Sequence, residues 1–236
     1  FKNKVMKKPI LFLIIVTTFF LPNFVSSHVK HYGNLKFLEY EIYLNSELIG
    51  THVFNFKKDK NTLSVNTTGR FKVKKLGIEL MDYKTKTEEI YVNGQLNNYF
   101  SETFQNDKRK YVNLSYNKAK KLFEIDGSSF KGSTDDNSIV GSWWNHEIIN
   151  KETQISAVSG RILPQKVKFL GKKELILFDK KYKALKFHFL SNNNKPTNKK
   201  KINFNVWYDE KTLLWLKMSY EKLGKWEYRL KKHTFY

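Results

Sequence analysis

The chain has 236 residues, a formal net charge of +21 at pH 7 and no cysteine. This length is enough for one large all-β domain or two small domains with a buried core. The lack of cysteine excludes a disulfide scaffold, a thiolate zinc site and a thiol nucleophile. Aromatic residues make up 16% of the chain, which argues against disorder despite the high charge.

The first residues of the chain have the pattern of a secretion signal. A basic stretch ends at Lys8, an uncharged apolar run follows over residues 10–20, and Pro22 precedes small residues at 25–27. This order is typical of a cleavable signal peptide. The run is shorter than the roughly 20 apolar residues that span a bilayer, although a retained signal anchor is the alternative. We therefore expect a signal peptide at 1–27 and a periplasmic location.

The positive charge of the remaining domain, residues 28–236, is spread along the sequence. Loss of the signal would remove four lysines and no acidic residue, and would leave a net charge of +17. Nucleic-acid surfaces concentrate their charge and use arginine forks, whereas only four arginines occur here. We therefore expect no nucleic-acid partner. Peripheral contact with an anionic membrane surface stays open, because plain electrostatics would favour it.

Apolar and polar residues alternate through most of this domain. The alternation is clearest in residues 38–44, 202–208, 214–220 and 226–230. It predicts strands with one buried face, and turn signals such as Asn93-Gly94 separate them. Buried parallel strands would instead be apolar throughout. We predict an all-β fold in a single domain. Its architecture is an antiparallel up-and-down meander of roughly ten to twelve strands that forms a curved sheet, half-barrel or barrel.

Residues 139–150 interrupt the meander and predict a short helix or loop insertion. They contain the pair Trp143-Trp144. Each indole has a large apolar surface and one N–H donor, so such a pair either plugs the end of a barrel or contacts a ligand. Both alternatives remain open, and Trp143 and Trp144 are candidate ligand-binding residues.

His52 and Arg161 are further candidate ligand contacts. By strand parity His52 shares a largely apolar face with Phe54, where a histidine either packs as part of the core or acts in a site. Arg161 is an arginine in a lysine-rich chain. Its retention indicates a bidentate or buried pairing that lysine cannot reproduce, either in a site or in a structural ion pair.

Patterns for catalysis are weak. Ser142, His146 and an aspartate of the pair 135–136 are the residue types of a hydrolase triad, but no G-x-S-x-G elbow surrounds the serine. His28 and His31 would form a copper-binding terminus only if cleavage frees the amine of His28. We therefore predict no catalytic residue, no metal site and no cofactor, and we favour a role without enzymatic activity.

Six sequence motifs are spread over most of the domain and are fairly specific in combination. They are Tyr40-Glu41-Ile42-Tyr43-Leu44-Asn45, Ile49-Gly50-Thr51-His52, the segment from Tyr83 to Asn93-Gly94, Ser142-Trp143-Trp144-Asn145, Ser159-Gly160-Arg161-Ile162-Leu163 and Val206-Trp207-Tyr208-Asp209. Together they resemble a family of exported bacterial proteins classed as a domain of unknown function. The strand pair around Trp207 is also distantly similar to periplasmic half-open barrels of the lipoprotein-carrier type. That resemblance implies an apolar concavity, and Trp207 joins the candidate ligand contacts.

Three functions fit this architecture. A curved sheet with an aromatic inner face can enclose a hydrophobic small molecule or lipid, which requires a cavity of at least about 300 Å³. A structural envelope protein would have a solid interior. An enzyme, either a hydrolase or a copper protein, would need polar groups that converge on one point. We favour the first function, for a monomeric protein.

Overall fold

The computed structural model describes residues 32–192 and 202–236. The predicted signal peptide and the His28/His31 pair lie outside these residues. The described part of the chain is almost entirely β-structure, with fifteen strands in one sheet. The predicted ten to twelve strands were too few, because four strands between residues 122 and 155 have only three to six residues each. Strands this short show no clear alternation.

The strands are numbered β1–β15 in chain order. Their bounds are Leu35–Leu44, Glu47–Asp59, Thr62–Lys75, Ile78–Val92, Gln95–Gln105, Lys108–Asn117, Leu122–Gly127, Phe130–Asp135, Ser138–Val140, Thr153–Ile155, Ile162–Leu177, Lys180–Ser191, Asn203–Asp209, Trp215–Glu221 and Lys225–Phe235. One short 3-10 helix, His146–Asn150, lies between β9 and β10. Among the described residues, no helix has the length and apolar character needed to cross a membrane.

The sheet nearly closes into a barrel. Each strand pairs with the next one in the chain except β8 and β9, which are the two edges, and β1 pairs with β15. The predicted antiparallel meander is confirmed, with one exception: β9 and β10 are parallel, because the loop and 3-10 helix between them return the chain to the same end. The insertion predicted at 139–150 is this connection.

The hairpin turns define two ends of the barrel. The upper end carries the turns Asn45-Ser46, Leu76-Gly77, Asn106-Asp107 and Leu223-Gly224, and the lower end carries Lys60-Asn61, Asn93-Gly94 and Phe178-Asp179. Asn93 and Gly94 have φ angles of 51° and 84°, as the predicted type I′ turn requires.

The insertion fills the lower half of the barrel interior. The Trp144 ring is buried edge-on against Phe56, Tyr91 and Tyr32, with ring centroids 5.2 to 5.7 Å apart. Tyr32 in turn hydrogen-bonds to Nδ1 of His146 at 2.6 Å. These large rings therefore form a packed core in the lower half of the barrel.

A candidate ligand cavity

A cavity of about 800 Å³ occupies the upper half of the interior. Its walls come from the strands on both sides of the β1–β15 pair and from two loop segments, 141–143 and 156–158. Glu221 and Lys222, at the end of β14, are exposed lining residues, so they mark the opening at the upper end. Trp143 forms the floor, where its ring lies 5.6 Å from the fully buried Trp215.

Aromatic rings line the cavity on several sides. Phe71 and Tyr83 stack across β3 and β4 with centroids 4.6 Å apart. Trp143 lies edge-on to Phe204 at 5.5 Å and to Tyr228 at 6.0 Å. Flat rings of this kind offer a large apolar surface with little conformational freedom to lose when a ligand binds.

The strands β3 and β4 also line the cavity with hydroxyl groups. Inward-facing positions alternate along β4 and bring Thr85, Thr87 and Glu89 to the cavity. Thr67 on β3 lies opposite Thr87, and the Thr85 hydroxyl is 2.9 Å from that of Thr103 on β5. The two strands therefore place a row of hydroxyl groups next to the Phe71–Tyr83 pair, on the same side of the cavity.

Three polar atoms of the cavity are buried without a hydrogen-bond partner. They are Nε2 of His52, Oγ1 of Thr67 and Nε1 of Trp143. An unsatisfied buried group of this kind costs about 1–3 kcal/mol, and native proteins contain few of them. All three residues line the cavity, so these atoms are candidates for hydrogen bonds to a bound molecule. Trp143 can only donate, whereas the Thr67 hydroxyl can donate and accept.

His52 is held as a neutral imidazole. Burial lowers its pKa to about 4, so at neutral pH one ring nitrogen donates and the other accepts. The ring packs on Phe54 with centroids 4.6 Å apart. A Cβ atom at Gly69 would lie 3.0 Å from Cδ2 of His52 and 2.9 Å from Cγ2 of Thr85, so the glycine makes room for the imidazole.

Glu89 is an acidic residue in the cavity wall, and it was not among the ligand contacts predicted from the sequence. Its side chain is 1% exposed and accepts hydrogen bonds from the Tyr91 hydroxyl at 2.6 Å and from Nε1 of Trp144 at 3.0 Å. Burial raises the pKa of Glu89, although these hydrogen bonds oppose the shift. The signal in the sequence is the alternation from Tyr83 to Tyr91, which turns Glu89 inward and its neighbour Glu88 outward.

The structure brings two of the five predicted ligand contacts together in this cavity, His52 and Trp143. Trp144 instead packs below the floor, where its indole N–H holds Glu89. Trp144 therefore has the structural role considered for the pair, whereas Trp143 lines the cavity. Arg161 precedes β11 and does not line the cavity; its main-chain carbonyl accepts a hydrogen bond from the Ser156 amide at 2.8 Å.

Trp207 lies on the outer face of the barrel. Its neighbours Val206 and Tyr208 are fully buried, so strand alternation turns the indole outward. The ammonium groups of Lys186 and Lys217 lie 4.9 and 5.5 Å from its ring centroid. The ring is therefore a platform for surface lysines and is not part of the cavity.

The residues considered for a hydrolase triad are not assembled. Ser142 lines the cavity, whereas His146 is buried against Tyr32. Asp136 accepts a hydrogen bond from the Tyr116 hydroxyl at 3.1 Å, and Asp135 accepts one from the Asn137 amide at 3.0 Å. The described residues also contain no group of three or more His, Asp or Glu side chains arranged to hold a metal ion.

Comparison with known proteins agrees with this architecture. The model of a family described as Domain of unknown function (DUF6134) matches residues 40–231. The crystal structure of a beta-barrel-like protein of domain of unknown function DUF1849 from Brucella abortus aligns with a TM-score of 0.61 and 11% identity. The alignment covers 86% of this chain and 98% of that one, and it shows a shared fold. No curated protein matches this chain by sequence.

Proposed function

We propose that this chain, which belongs to the DUF6134 family, is an exported binding protein that holds a small amphipathic molecule of hydrophobic or lipid-like character. One observation carries the proposal: an 800 Å³ cavity whose lining residues include aromatic rings and three buried polar atoms without a hydrogen-bond partner. Its volume lies within the range of about 300–1,000 Å³ that is usual for small-molecule sites. A structural envelope protein would have no need for such a space.

The cavity also indicates where the parts of the ligand would lie. The aromatic rings take the apolar body, and the hydroxyl groups of β3 and β4 take polar atoms through hydrogen bonds. His52 is neutral, and Thr67 and Trp143 carry uncharged polar atoms, so the inner part of the cavity suits an uncharged group such as a hydroxyl, amide or ester. An anionic headgroup fits best at the mouth, beside Lys222.

Native mass spectrometry of the protein, purified without detergent from a bacterial host, tests the proposal directly. We expect an additional mass that matches a small amphipathic molecule and is lost on denaturation. A titration with 11-(dansylamino)undecanoic acid, an acyl probe with a fluorescent group, then measures binding. We expect saturable binding with a blue-shifted emission, because the probe leaves water for an aromatic cavity.

Two matched substitutions on β3 identify the site. Thr67→Val removes the unpartnered hydroxyl inside the cavity, whereas Thr68→Val makes the same change on the exposed outer face. We expect Thr67→Val to weaken probe binding about tenfold, since a hydrogen bond in a buried site contributes about 1 kcal/mol or more. Thr68→Val should bind normally. No co-purified molecule together with no saturable binding, or equal effects of both substitutions, would overturn the proposal.

A further inference from the structure

Two hairpins at the upper end carry a leucine followed by a glycine in the turn. Leu76-Gly77 joins β3 to β4, and Leu223-Gly224 lies between β14 and β15. The leucines have φ angles of 51° and 53°, and their side chains are 94% and 97% exposed. Each leucine therefore stands at the tip of a hairpin with almost no contact to the rest of the described protein.

Folding does not explain these leucines. The left-handed region penalises side chains with a Cβ atom, least so for Asn and Asp. At three other hairpin turns this chain places Asn in that region, Asn45, Asn93 and Asn106, and at three more it places Lys60, Lys121 and Phe178. A leucine that is both strained and exposed gains neither the local hydrogen bonding of Asn nor the burial that usually stabilises Leu.

The two tips belong to a larger apolar rim around the mouth of the cavity. We call Leu48, Leu76, Ile78, Leu80 and Leu223 the upper rim; each is more than half exposed. The β1–β2 turn joins the β14–β15 turn, since the Asn45 amide donates to the Lys225 carbonyl at 2.9 Å. Strand pairing across β2 and β3 places the β3–β4 hairpin at the same end.

Lysines without acidic partners lie directly behind the tips. Lys74 and Lys75 precede Leu76, and Lys222 precedes Leu223; all three are exposed and make no ion pair among the described residues. Lys72, by contrast, pairs with Glu79 at 2.7 Å. Apolar tips backed by free ammonium groups match the two layers of an anionic bilayer surface, acyl chains beneath phosphate headgroups.

We infer that the upper rim docks on an anionic lipid bilayer, with Leu76 and Leu223 inserted at the interface and the lysines among the headgroups. A protein partner fits less well, because a stable interface buries about 800 Å² per side in a continuous patch, whereas these leucines stand on separate protruding turns. Docking in this orientation points the mouth of the cavity at the membrane. The inference rests on the hairpins and not on the ligand of the cavity.

Site-specific labelling tests the docking orientation. The chain has no cysteine, so Leu76→Cys, Leu223→Cys and Lys60→Cys each provide a single site for an environment-sensitive dye. Lys60 is the matched control, at a positive-φ turn of the lower end. On vesicles of phosphatidylglycerol and phosphatidylethanolamine we expect a blue shift at positions 76 and 223 and none at position 60. Membrane binding through residues 1–31 alone would shift neither tip and would overturn the inference.

A second experiment separates docking from folding. Asn tolerates the left-handed region, so Leu76→Asn with Leu223→Asn should leave the melting temperature equal or higher. The same double variant should lower vesicle partitioning by at least about tenfold, because two buried leucine side chains are lost. A fall in melting temperature would show that the leucines have a structural role. Unchanged partitioning would also overturn the inference, as would a tip-dependent dimer without vesicles in sedimentation experiments.

Discussion

Glu89 is the residue whose substitution tests the interior most sharply. Its buried carboxyl group accepts hydrogen bonds from the Tyr91 hydroxyl and the Trp144 N–H. Glu89→Leu leaves both donors unsatisfied, at about 1–3 kcal/mol each, so we expect a loss of about 2–6 kcal/mol in the free energy of unfolding. Glu89→Gln can satisfy both neighbours, with its oxygen accepting from the indole and its amide donating to the tyrosine oxygen.

The pH dependence of the Gln variant gives an independent check. Burial raises the pKa of Glu89, so the folded protein holds this proton more tightly than the unfolded chain does. The stability that the protonated carboxyl contributes is complete below the unfolded pKa and is lost as the pH rises through the folded pKa. Glutamine does not ionise. We therefore expect the Gln variant to gain stability relative to the wild type as the pH increases.

Urea unfolding followed by tryptophan fluorescence, at about pH 5 and about pH 8, measures both effects. The difference between wild type and variant cancels the pH response of all other groups. A Leu variant as stable as the wild type would refute the hydrogen-bond assignment. A wild type that gains on the Gln variant as the pH rises would refute the raised pKa.

Three further substitutions test one ion-pair cluster and the packing on either side of the sheet. Burial alone would raise the pKa of Glu227, but hydrogen bonds from Lys217 and Arg229 outweigh it and lower the pKa from 4.5 to about 2. The partner Lys225 is exposed, so solvent screens part of the effect, and we expect at most about 3 kcal/mol of stability that is present above about pH 4.5 and lost towards about pH 2. Glu227→Gln should therefore flatten the acid side of the stability curve. Trp144→Ala should cost about 3–5 kcal/mol in denaturant unfolding because it empties the lower core, whereas Trp207→Ala, on the outer face, should cost much less; equal losses would contradict their placement.

The sequence by itself determined the class of fold. Alternation with a period of two reports on each strand locally, and Asn93-Gly94 reports on its own turn, so the antiparallel meander and its hairpins were predictable. Alternation also placed His52 and Phe54 on one face. These features could be predicted because the side-chain direction along a strand follows from the local backbone geometry and does not depend on distant residues.

Only the tertiary structure decided which inward-facing groups meet. The pairing of β1 with β15 nearly closes the sheet, and the insertion then fills one half of the interior and leaves the other half open. Trp143 and Trp144 are adjacent in sequence, yet one lines the cavity and the other packs below it. Glu89 became part of the site through contacts with Tyr91 and Trp144, the latter 55 residues away. Such contacts depend on how the sheet curls, which no local pattern encodes.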